Sequence, residues 1–77
     1  MTLQLAILKA LERAHPDGLP ESTIVADVNL ILPDTITPSM VRRELQLLDP
    51  VFVGSVGHED RGTIYFLTPR GLHRLQK

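Results

Sequence analysis

Apolar residues recur at intervals of three and four over the first two thirds of the chain. The rhythm then changes to short runs of β-branched and aromatic residues. Between Leu3 and His15, the residues Leu3, Ile7, Ala10, Leu11 and Ala14 share one stripe of a helix, and Thr2 stands where an N-cap belongs. Leu5 and Leu8 widen that arc beyond a one-sided face, while Gln4, Lys9 and Glu12 lie off it. Pro16, Asp17 and Gly18 stop the helix, and Leu19 leaves room only for a very short strand before Pro20. A second helix is predicted to start at Pro20 or Glu21, because proline and a carboxylate both suit a first turn. It carries Ile24, Val28 and Ile31 on one face, with Val25 and Leu32 beside them, and Pro33 and Asp34 break it.

The third helix has the clearest boundaries. Thr37 is a good N-cap, Pro38 takes the first helical position, and Asp49 and Pro50 end it. Val41, Leu45 and Leu48 are spaced four and three apart and face the core, with Met40 and Leu47 on an adjoining strip. Ser39, Arg42, Arg43 and Gln46 gather on the opposite side, toward solvent or a partner. Beyond it, Val51 to Val56 and Thr63 to Leu67 read as strands, joined by the polar turn Gly57 to Gly62. A short last helix follows, with Thr68 as N-cap, Pro69 at the first position and Leu72 and Leu75 on one face. An isolated hairpin is marginal in water, so this one must pack against the helices. The prediction is one α+β domain over residues 1–77: a three-helix core, a C-terminal β-hairpin and a short final helix. Its expected core is Ile7, Leu11, Ile24, Val28, Val41, Leu45, Leu48, Ile64 and Phe66.

This order carries a resemblance. The stretch TPSMVRRELQLLDPVFVG looks like the recognition helix and first wing strand of winged helix-turn-helix proteins. IYFLTPRGLHRL resembles the wing exit and following helix of MarR-like and PadR-like bacterial regulators. The resemblance implies a small DNA-binding regulator whose helix 37–49 enters the major groove of double-stranded DNA. It further implies that Ser39, Arg42, Arg43 and Gln46 contact bases or phosphates, and that His58 and Arg61 contact DNA from the wing. The chain departs from that pattern in three ways. Its connection from Leu32 to Ile36 is longer than a simple helix-turn-helix turn. The wing tip carries Glu59 and Asp60, which repel phosphate, and the extra dimerisation helices of those regulators are missing.

Composition changes the picture only in part. The net charge is −1, whereas DNA-binding domains are typically basic, but the charge is uneven. Residues 1–36 carry a net −3 and residues 37–77 a net +2. The acidic balance and acidic wing tip favour an alternative, a winged helix used as a protein–protein interaction module. Leu5 and Leu8 are the one spare apolar surface the pattern offers, so a monomer or a weak homodimer through the first helix is expected. The chain has no cysteine, which excludes disulfides, thiolate metal sites and cysteine nucleophiles and fits a cytoplasmic location. No apolar run approaches the roughly 20 residues of a membrane span, and the start is not expected to be a signal peptide.

Candidate chemistry is sparse. Arginine pairs bidentately with guanine or phosphate, so Arg42 and Arg43 are the leading candidates. Their plainer reading is two solvated side chains paired with nearby carboxylates. Glu44 falls between apolar strips, at the core edge or paired with Arg13 or Arg61. His15, His58 and His73 lie on three different elements, without the spacing of a metal site. No nucleophile elbow or phosphate loop is present, so neither catalysis nor a cofactor is expected.

Overall fold

The computed structural model describes residues 1–60 and 62–76. In chain order these form α1 (Leu3–Ala14), β1 (Leu19–Pro20), α2 (Glu21–Ile31), α3 (Pro38–Leu48), β2 (Val53–His58), β3 (Gly62–Leu67) and α4 (Pro69–Leu75). The fold is α+β, with an antiparallel sheet in the order β1-β3-β2. Among the described residues no helix is long and apolar enough to cross a membrane.

Three threonines set where helices begin. The Oγ1 of Thr2 accepts from the Leu5 N–H at 3.2 Å, that of Thr37 from Met40 at 3.3 Å, and that of Thr68 from Gly71 at 3.2 Å. Each satisfies a first-turn donor that the helix itself cannot pair. Pro20 precedes α2 without a side-chain cap, and Glu21 supplies a carboxylate in that first turn.

The core lies where α1 packs against α2, α3, α4 and β3. A helix enclosed on so many sides buries a wide arc, here Ala6, Ile7, Leu8, Ala10 and Leu11. Leu8 is therefore fully inside and offers no partner surface; only Leu5, half-buried, remains of the apolar face expected on this helix. Ile24, Val28, Val41, Leu45 and Leu48 are buried as their spacing predicts.

The sheet shifts the expected core by one position along β3, which removes Ile64 and Phe66 from it. Tyr65 pairs with Ser55 and Leu67 with Val53, and Val53 and Leu67 are the buried strand residues. Tyr65 packs against the same cluster. Side chains alternate across a strand, so Ile64 and Phe66 lie on the opposite face and are half-buried. There the Phe66 ring fills the space beside Gly54, and Ile64 lies against Gly18. The first hairpin strand starts at Val53 rather than Val51, because the Phe52 N–H still bonds back to the Leu48 carbonyl at 2.9 Å.

The long connection between α2 and α3 is held by one side chain. Asn29 Nδ2 donates to the Val25 carbonyl at 2.9 Å and to the Ile36 carbonyl at 3.0 Å. Its Oδ1 accepts from the Ile36 N–H at 2.9 Å. This two-point bracket presses Ile36 into the core just ahead of the α3 cap. Asn29→Ala is expected to cost about 1–2 kcal/mol, the range for hydrogen bonds lost from partly buried groups. Urea unfolding measures it, and an unchanged midpoint would show that the bracket adds nothing to stability.

Candidate functional site

The outer side of α3 is the most distinctive polar surface, and helical geometry builds it. With Val41, Leu45 and Leu48 turned inward, Ser39, Arg42, Arg43 and Gln46 are all exposed, as the spacing predicts. Glu44, the helix's one carboxylate, is turned away from them. It accepts from Gln4 Nε2 of α1 at 3.4 Å, rather than pairing with Arg13. Arg61, its other expected partner, lies outside the described residues. The outward strip of α3 therefore carries two cations and two neutral polar groups, with no acid of its own.

The four residues are not equivalent. Ser39 Oγ sits 3.2 Å from the capping Thr37 Oγ1, at the start of the helix. Arg42 reaches across to α2, where its Nε donates to Glu21 Oε1 at 2.9 Å and its Nη2 to Glu21 Oε2 at 3.2 Å. Glu21, by hydrogen bond first and by charge second, raises the pKa of Arg42 above its already high ordinary value. The guanidinium thus stays charged, and its side chain remains 59% exposed. Arg43 takes part in no ion pair among the described residues. Gln46 borders a cleft with Leu45, Asp49, Ser55 and Tyr65.

The hairpin meets this strip through residues the sequence did not single out. Ser55 Oγ donates to Asp49 Oδ2 at 3.1 Å, tying β2 to the end of α3. A second cleft brings Thr63 and Tyr65 together with Pro20, Glu21, Ser22 and Arg42. Tyr65 borders both clefts and separates the Gln46 side from the Arg42 side. His58 pairs with Gly62 and belongs to the other face of the sheet, where it borders a cleft with Asp17, Gly18, Leu19, Pro20 and Ile64. The structure therefore brings Ser39, Arg42, Arg43 and Gln46 onto one surface and sets His58 apart from it. Alternation along β3 is the signal that marks Thr63 and Tyr65 as facing α3, once the register is known.

Two apolar side chains share the exposed part of α3: Met40, 41% exposed, and Leu47, 67% exposed. They are seven residues apart and lie on one strip beside Arg43. Elsewhere, Arg74 of α4 stacks over the Phe52 ring at 4.9 Å, a cation–π arrangement away from the α3 strip.

Comparison with protein-family models, with curated proteins and with solved structures yields no match for this chain.

Proposed function

We propose that the chain is a winged helix-turn-helix domain that binds duplex DNA through α3, as a regulator without catalytic activity. The element order supports this reading: a short strand between the first two helices, a hairpin after the third, and the first strand paired to the hairpin's return strand. The observation that carries it is the outer face of α3. Ser39, Arg42, Arg43 and Gln46 stand exposed together there while Glu44 is drawn off toward α1. Arginine suits guanine or phosphate and glutamine suits adenine, and a capped helix with a free polar face fits the major groove.

Counterion release supplies the test. With Arg42 and Arg43 of α3, and Arg61 as the sequence-expected wing contact, as the main cationic contacts, log affinity against log salt is expected to fall with a slope no steeper than about −3. Arg43→Ala is expected to weaken duplex binding severalfold and to flatten the slope by about 0.9. Arg74→Ala, which removes a guanidinium already stacked on Phe52, changes either quantity less. Equal effects of the two substitutions would remove α3 as the DNA reader.

A second reading rests on Met40 and Leu47. Exposed apolar side chains beside an arginine suit a protein partner better than a phosphate backbone. In that reading the same helix docks an interaction partner and the acidic wing tip is no obstacle. Absence of duplex binding even at low salt, together with retained folding, selects it.

A further inference from the structure

Two adjacent arginines point outward from α3, and one is already spoken for. The Glu21 carboxylate engages Arg42 through two contacts, 2.9 Å at Nε and 3.2 Å at Nη2. This is the same planar fork that a guanidinium offers to a phosphate or to a guanine edge. Arg43 takes part in no ion pair among the described residues. Resting on the DNA reading above, we propose that Glu21 is a specificity-determining residue that occupies Arg42 in place of DNA. It thereby withholds Arg42 from non-specific phosphate contact.

The physical argument is one of exchange. A free surface arginine joins any nearby phosphate by displacing condensed counterions, which strengthens binding to every sequence alike. Arg42 must instead leave a bidentate carboxylate, and it strands that carboxylate beside DNA when it does. A single, loosely placed phosphate oxygen does not compensate for this loss. A well-placed bidentate acceptor on a base edge, reached only at the right site, does so more fully. Placement favours the exchange, because the Arg42 side chain is exposed while Glu21 is only half-buried, and the pair borders the cleft where the start of α2, α3 and β3 meet. Arg43 then supplies general attraction while Arg42 is released selectively.

The test is a double-mutant cycle on the full chain. Binding of short labelled mixed-sequence duplexes is followed by fluorescence anisotropy across a salt series, for the parent, Glu21→Gln, Arg42→Ala and the double variant. Thermal melts run alongside separate affinity changes from unfolding. Glu21→Gln is expected to tighten mixed-sequence binding roughly two- to fivefold and to steepen the salt slope by about 0.9, one additional phosphate contact. In the Arg42→Ala background the same substitution is expected to leave the slope unchanged. An equal gain with and without Arg42 overturns the proposal, since Glu21 would then act only as a repelling charge. Parent-like affinity and slope in Glu21→Gln overturn it as well, with DNA binding itself left standing. If neither the parent nor Glu21→Gln binds duplex at low salt, the DNA reading fails and this inference falls with it.

Discussion

Replacing Leu45 by alanine is expected to remove about 2–5 kcal/mol of folding stability, the range seen when buried leucines are truncated in closely packed cores. Leu45 is 1% exposed and sits midway along α3 between Val41 and Leu48, both also buried. Its loss leaves a void that α1 and α2 on the far side can fill only in part. A folded domain holds about 0.05–0.15 kcal/mol per residue, so a chain of 77 residues has roughly 4–12 kcal/mol in all. The substitution therefore takes a large share of the total, and the melting temperature should fall by more than ten degrees, at several degrees per kcal/mol. Calorimetry or circular dichroism checks it. A variant melting within a few degrees of the parent would place Leu45 outside the core and detach α3 from its assigned orientation.

The second large effect is expected at Gly71, and its sign is the informative part. In the interior of a helix alanine is favoured over glycine by roughly 1 kcal/mol, so Gly71→Ala would ordinarily stabilise α4. Here a side chain at position 71 would run into the Phe52 carbonyl oxygen and lie 2.9 Å from Leu67 Cδ2. The helix approaches the entry to β2 this closely because Thr68 joins the two segments: its N–H donates to the Phe52 carbonyl at 3.2 Å and its hydroxyl to that of Val51. Overpacking against backbone costs about 1–3 kcal/mol, which outweighs the propensity gain. Gly71→Ala is therefore expected to lower stability, and Gly71→Val to lower it further. A Gly71→Ala protein more stable than the parent would show that α4 has room to move outward without loss.

The elements most legible in the sequence are those where local chemistry and period agree. Thr37 and Pro38 announce the start of α3, and the spacing of Val41, Leu45 and Leu48 fixes which way it faces. Ser39, Arg42, Arg43 and Gln46 could therefore be placed on one exposed strip before any tertiary contact was known. The ion pair of Arg42 with Glu21 could not, because the partners are 21 residues apart and meet only when α2 crosses α3. The return strand misled for a different reason. Thr63-Ile64-Tyr65-Phe66-Leu67 is an unbroken run of strand formers, without the alternation that separates an inner from an outer face. Its parity comes from pairing Leu67 with Val53 and from the space Gly54 leaves for Phe66. Leu8 misled because a wide apolar arc reads alike whether it serves a partner or a helix enclosed by its own fold.

The central position of β3 has a consequence for how the protein behaves when it is not folded. The stretch from Thr63 to Leu67 has no charge, no proline and a high tendency to form strands, which is the make-up of segments that stack into fibrils. In the native sheet it is flanked on both sides. Neither flank is a good template for recruiting another chain. β1 is two residues long and contains Pro20, which lacks an N–H, and β2 carries Gly54 and Gly57 and runs into Glu59 and Asp60. Protection from self-association is therefore a property of the closed sheet. A heated or core-damaged chain uncovers its stickiest segment at the moment the hairpin opens, and its recovery on cooling should worsen as the protein concentration rises.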